Sequence, residues 1–165
     1  MLALSLVGGV MLGGVLLLDQ LEDATSRIVA KSADTGREAN GARLLRRIVF
    51  EARTSLDTTR KFAGDTRSVS FLSWCDVPAG WREPCDVSLT IDERDDSSAV
   101  MADLSIGGSF VLRRDAGRRA WRYLDASPRD TAWATHWASA TTLPAALALT
   151  SSADTVVFPV QVRRD

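Results

Sequence analysis

The stretch DVSLTID, residues 86–92, decides how the second half of this chain folds. Val87, Leu89 and Ile91 are apolar, and polar residues stand between them. Successive side chains of a β-strand point to opposite faces, so the alternation places these three side chains on one face. The pattern predicts a strand in a sheet that has one buried side.

Six further segments after about residue 65 either alternate in the same way or are rich in β-branched and aromatic residues. Clusters of Gly, Pro, Asp and Ser separate them, as is typical of turns. The segments are RSVSFLSW (67–74), AVMADLSI (99–106), SFVLRRD (109–115), AWRYLD (120–125), LPAALALT (143–150) and TVVFPVQV (155–162). Seven short strands predict an antiparallel, β-rich globular head over residues 58–165.

A helix is predicted before this head, because the chain from Asp19 to about Leu56 contains no proline. The apolar residues of its second half recur at steps of three and four and form one stripe. They are Leu45, Ile48, Val49, Ala52 and Leu56. We expect this amphipathic helix, residues 19–57, to cover one face of the sheet and so to give an α+β fold.

The first eighteen residues, MLALSLVGGVMLGGVLLL, carry no charge. As a helix they would span roughly 27 Å, slightly short of the roughly 30 Å core of a bilayer. Residues 1–18 are therefore expected to form the membrane-embedded first part of the same helix, with Gly9 and Gly13 as a close contact to other helices. A buried helix of a soluble core and a cleaved signal peptide are the alternatives, although the basic segment of a signal peptide is missing.

Charge and composition argue against several functions. Twenty Lys and Arg stand against 21 Asp and Glu, which leaves a formal net charge of -1 and no basic footprint for nucleic acid. Two cysteines and one histidine are few for catalysis or a metal site, and no Gly-rich phosphate loop is present. We expect a non-enzymatic protein without cofactor, metal or small-molecule substrate.

Three tryptophans and a group of carboxylates are the remaining candidates for binding. Trp121, Trp133 and Trp137 form either an exposed recognition face or packing over the sheet. His136 is interpreted as a polar surface or packing residue. The carboxylates of Asp92, Asp95 and Asp96 are possible Ca²⁺ ligands, but their spacing does not match an EF-hand loop and favours a solvated hairpin turn.

The order of these segments resembles that of type IV pilins and of the pseudopilins of type II secretion systems. KFAGDTRSVSFLS (61–73) is similar to the stretch that follows the long helix in the J-type minor pseudopilins of the general secretion pathway. Residues 121–150 resemble that family's segment of an aromatic strand, a tryptophan, and a Leu-Pro before a hydrophobic strand. The resemblance implies a pilin-like fold, in which a long N-terminal helix packs on the head.

The resemblance also implies a function. The chain would be a structural subunit at the tip of the pseudopilus, in protein secretion across the outer membrane. It would cross the inner membrane once, with its head in the periplasm, and its partners would be the I-type and K-type minor pseudopilins. The alternatives are a minor pilin of a type IV pilus and a membrane-tethered periplasmic enzyme or binding module.

The family's leader is missing from the chain. That leader is basic and ends in Gly, and Phe-Thr-Leu-x-Glu follows it, whereas MLALSLVGG (1–9) resembles the family from just after that Glu. We expect the true start to lie upstream of Met1; a natural variant without leader or Glu is the alternative.

Two cysteines enclose the nine residues DVPAGWREP (76–84). In a periplasmic head this turn-rich segment lies in an oxidising compartment, where disulfides persist. A Cys75–Cys85 disulfide is therefore predicted, with two free cysteines as the alternative.

Overall fold

The computed structural model describes residues 36–54, 61–77, 79–125 and 132–161. The chain divides into two compact units, Met1–Ala39 and Asn40–Asp165, and most of the described residues belong to the second. Within the described ranges, one helix, α1 (36–50), precedes ten strands. The strands are β1 (Phe62–Gly64), β2 (Ser68–Asp76), β3 (Arg82–Arg94), β4 (Ser97–Leu104), β5 (Gly108–Ala116), β6 (Ala120–Leu124), β7 (Trp133–Ala134), β8 (Trp137–Ser139), β9 (Ala146–Thr150) and β10 (Thr155–Pro159).

The strands form two antiparallel sheets. The first sheet has six strands in the order β5-β4-β3-β2-β1-β8, and the second has four in the order β10-β9-β6-β7. In β3 the apolar residues at every second position are buried, as the alternation in 86–92 predicts. Four successive residues of β9, 146–149, are buried, so side chains on both faces of this strand are shielded from solvent.

Helix α1 packs on the first sheet through its predicted stripe. Leu45, Ile48 and Val49 are buried, and the hydroxyl of Ser73 in β2 donates a hydrogen bond of 2.9 Å to the Ile48 carbonyl. A side chain at Gly41 would overlap the backbone carbonyl of Leu112, so the helix approaches β5 at van der Waals distance. The stripe and the missing side chain at residue 41 together set where the helix lies on the sheet.

The turn between β1 and β2 joins the two sheets. The Trp121 backbone N–H of β6 donates to the Thr66 carbonyl at 2.9 Å, and the Tyr123 hydroxyl donates to the Asp65 carbonyl at 2.7 Å. The carboxylate of Asp65 accepts hydrogen bonds from the backbone N–H groups of Arg67 and Ser68, which lower its pKa. Burial raises the pKa of the Tyr123 hydroxyl, which therefore stays protonated and able to donate.

The prediction of a pilin-like α+β fold, with a long N-terminal helix packed on the head, is wrong. The described residues are mostly β-sheet with one short helix. The helix was expected to continue to residue 57, but it ends at residue 50, because the backbone of residue 53 pairs with β2 of the first sheet. The Arg53 N–H donates to the Leu72 carbonyl of β2 at 2.9 Å, where a continued helix would need that N–H for its own ladder.

Within the described ranges, no helix is long and apolar enough to cross a lipid bilayer. The expected span of residues 1–18 and the predicted contact at Gly9 and Gly13 lie outside the described residues, so they remain predictions.

Candidate functional site

The candidate site is the hairpin formed by β2 and β3. These strands pair over nine residues, from Ser68 opposite Thr90 to Asp76 opposite Arg82, so the hairpin is among the longest pairings in the first sheet. Its tip, of which Val77 and residues 79–81 are described, has two backbone hydrogen bonds. The Val77 N–H donates to the carbonyl of residue 81 at 2.9 Å, and the N–H of residue 80 donates to the Val77 carbonyl at 3.0 Å. Residue 80 is a glycine with a φ of 93°, a conformation that other residues rarely adopt.

A disulfide bond crosses the hairpin just before its tip. Cys75 lies opposite Glu83, and Cys85 lies opposite Ser73, so the bond runs diagonally between the paired strands. The two Cα atoms are 5.8 Å apart, which is an ordinary separation for a disulfide, and both cysteines are buried. This geometry is consistent with the predicted pairing and restrains the strands that carry the tip.

Four charged side chains form ion pairs that link the base of the hairpin tip to the end of α1. Asp76 of β2 pairs with Arg47 of α1 at 3.0 Å and with Arg82 of β3 at 3.2 Å. Arg82 also pairs with Glu51, and Glu51 lies 3.8 Å from Arg47. A single exposed ion pair contributes little to folding stability. Here two arginines share two carboxylates, so the four side chains form a network that links the helix with both strands.

Trp81 stands at the tip of this restrained hairpin, and 61% of its surface is exposed. Tryptophan is the residue most enriched at the energetic centres of protein interfaces, because it buries a large apolar area and keeps one hydrogen-bond donor. A tryptophan this exposed, held on a cross-linked turn, is therefore a candidate contact for a partner protein. Sequence reasoning missed Trp81, although its position within DVPAGWREP, between two cysteines predicted to pair, was the available signal.

The three tryptophans proposed from the sequence do not form one face. Trp121 is fully buried and packs against Phe158 with ring centroids 6.3 Å apart, so it belongs to the core. Trp133 is 39% exposed at the edge of the second sheet. Trp137 is half-buried, and its indole N–H donates to the Thr142 carbonyl at 3.3 Å.

The acidic candidates lie on a hairpin turn. Asp92 lies near the end of β3 and pairs with Arg94 at 3.1 Å, and Asp95 and Asp96 form the exposed turn to β4. His136 is exposed between β7 and β8. Within the described residues, no group of three or more His, Cys, Asp or Glu side chains is placed to hold a metal ion.

No protein-family model matches the chain, and no curated protein is significantly similar to it in sequence.

Proposed function

We propose that this protein is a non-enzymatic structural subunit that binds other proteins outside the cytoplasm through the tip of its β2–β3 hairpin. The observation that carries the proposal is the exposure of Trp81 on a turn that a disulfide and an ion-pair network fix in place. No step of the proposal depends on a chemical reaction or on a bound cofactor.

The restraint on the hairpin supports a binding role on energetic grounds. Ordering a flexible loop at an interface costs free energy that the contact must offset. Here the disulfide and the Asp76 and Arg82 ion pairs restrain the strand ends on either side of the tip before any partner arrives. The Trp81 side chain has few rotatable bonds, so its burial against a partner would lose little conformational entropy.

The proposed assembly is the pseudopilus of a type II secretion system, in which this chain is a minor subunit at the tip. Its support is the resemblance of residues 61–73 and 121–150 to J-type minor pseudopilins. The uncharged residues 1–18 support a single-pass anchor in the inner membrane, and the disulfide supports a head in the oxidising periplasm. The proposed partners are the I-type and K-type minor pseudopilins.

Deletion of the gene in its own organism tests this function. Proteins that normally reach the culture medium are expected to accumulate in the periplasm, and the full chain supplied in trans is expected to restore their release. Unchanged secretion would contradict the proposal. Loss of surface pili with normal secretion would also contradict it and would identify the chain as a minor pilin.

A further inference from the structure

A second candidate site, which shares no residue with the hairpin tip, is a cleft of about 400 Å³ between the two sheets. The β1–β2 turn and the end of β3 form one wall, and residues 118–122 with the β9–β10 turn form the other. Its lining is rich in positive charge, with four arginines and one carboxylate: Arg67, Arg118, Arg119, Arg122 and Glu93.

Two of the four arginines already have carboxylate partners. Arg67 pairs with Glu93 at 2.7 Å. The guanidinium of Arg119 pairs with Asp115 at 3.1 Å and also with Asp154. These pairs hold the two side chains in place and largely neutralise them.

The other two arginines leave the cleft positively charged. Neither Arg118 nor Arg122 makes an ion pair within the part of the chain that the structure describes. Arg118 is exposed and Arg122 is half-buried, and both line the same cleft. Two like charges held on one short segment repel each other, and an anion between them would relieve that repulsion.

An independent observation concerns Arg119, which lies between these two residues in sequence. Only 6% of its side chain is exposed, and its Nε–H is buried with no hydrogen-bond partner among the described residues. A buried donor of this kind is rare in folded proteins, because it has lost its water without gaining another acceptor. The wall of the cleft therefore contains a buried guanidinium whose two terminal nitrogens are paired and whose Nε–H donor is unsatisfied.

We propose that this cleft binds a phosphate group carrying two negative charges, either as free phosphate or in the headgroup of a lipid. Two unpaired arginines match a dianion in charge, and the planar guanidinium can donate two parallel hydrogen bonds to phosphate oxygens. The hydroxyls of Thr66 and Ser152, which also line the cleft, supply further donors. A carboxylate would neutralise only one of the two arginines and is expected to bind more weakly.

Calorimetric titration of the full chain in detergent with inorganic phosphate, at constant ionic strength, tests the site. Arg118→Gln and Arg122→Gln are each expected to weaken binding by about tenfold or more, as the loss of a charge-assisted hydrogen bond predicts. Arg46→Gln is the matched control, because it removes one exposed positive charge from α1, outside the cleft. Thermal melts of the variants verify that they are folded.

Two other anions, sulfate and acetate, test whether the site prefers a dianion to a carboxylate. Sulfate is expected to bind about as well as phosphate, and acetate clearly less well. Absence of phosphate binding at millimolar concentration would overturn the proposal. So would equal weakening by all three variants, which would indicate attraction to the net charge alone, or acetate binding as tight as that of phosphate.

Vesicles distinguish the two sources of the phosphate group. If a lipid carries it, the full chain binds phosphatidic acid vesicles better than phosphatidylcholine vesicles, and Arg122→Gln abolishes the difference while Arg46→Gln does not. If free phosphate is the ligand, the titration is positive and the two vesicles bind the chain equally.

Discussion

Replacement of Gly41 by alanine probes the contact between α1 and the first sheet. A Cβ at this position would lie 2.7 Å from the carbonyl carbon of Leu112 and closer still to its oxygen. The obstacle is backbone rather than a mobile side chain. The residues on either side, Val111 and Arg113, are held by pairing with β4, and Leu112 is the extra residue of the β-bulge between them.

Two effects of opposite sign determine how much Gly41→Ala is expected to change the free energy of unfolding. Alanine is about 1 kcal/mol better than glycine within a helix, which favours the variant. Insertion of a methyl group into a packed contact costs about 1–3 kcal/mol, and the upper end applies here because neither backbone can move freely. We expect Gly41→Ala to lower the free energy of unfolding by about 2 kcal/mol net.

The assay is urea unfolding of the full chain in detergent, followed by tryptophan fluorescence. Gly36→Ala is the matched control, since residue 36 is in the same helix and no atom of the described residues lies within 4 Å of the added Cβ. The control is expected to be unchanged or more stable by up to about 1 kcal/mol. If Gly41→Ala were as stable as Gly36→Ala, α1 would not lie against β5 as described.

Three further predictions concern other parts of the chain. Replacement of Cys75 and Cys85 by alanine is expected to lower the free energy of unfolding by about 2–3 kcal/mol, because the short loop that the disulfide closes gains conformational freedom in the unfolded chain. Mass spectrometry of the native wild-type protein, after alkylation without reductant, should find no free thiol. Since the pKa of Asp65 is lowered in the folded state, its stabilising contribution is present above about pH 4 and is lost as the pH falls through the folded pKa. Urea midpoints of Asp65→Asn should therefore be lower than those of the wild type at pH 7 and converge with them in acid. Gly9→Leu is expected to reduce co-purification with the proposed pseudopilin partners from membranes while the circular dichroism of the protein stays unchanged.

Each of these has a result that would contradict it. Two alkylated thiols would mean that the cysteines are free. A constant difference in midpoint between wild type and Asp65→Asn at every pH would mean that the carboxylate charge is not what stabilises the turn. Unchanged co-purification of Gly9→Leu would mean that association does not depend on this glycine.

The sequence predicted the elements whose pattern is local. The alternation through Val87, Leu89 and Ile91 is enough to identify β3, because one face of this strand is buried along its middle. The stripe through Leu45, Ile48 and Val49 identified the buried face of α1 for the same reason. Strands β1, β7 and β8 have only two or three residues and were not predicted, since only their pairing with neighbours defines them.

What the sequence did not predict depends on contacts between distant residues. The end of α1 at residue 50 follows from the bond between Arg53 and Leu72, and no local breaker marks it. The exposure of Trp81 is known only after the hairpin has been built, although its place between the two cysteines was a signal in the sequence. The cleft brings together Arg67 and Arg122, 55 positions apart, whose shared surface no spacing rule reveals.

Co-purification with the I-type and K-type minor pseudopilins, compared between Trp81→Ala and Trp133→Ala, tests the central claim most directly. Both changes remove an exposed indole, but only the first lies on the disulfide-linked hairpin. Trp81→Ala is expected to lose the partners while its melting temperature stays close to that of the wild type, and Trp133→Ala is expected to retain them. Retention of both partners by a folded Trp81→Ala variant would contradict the assignment of the hairpin tip as the binding site.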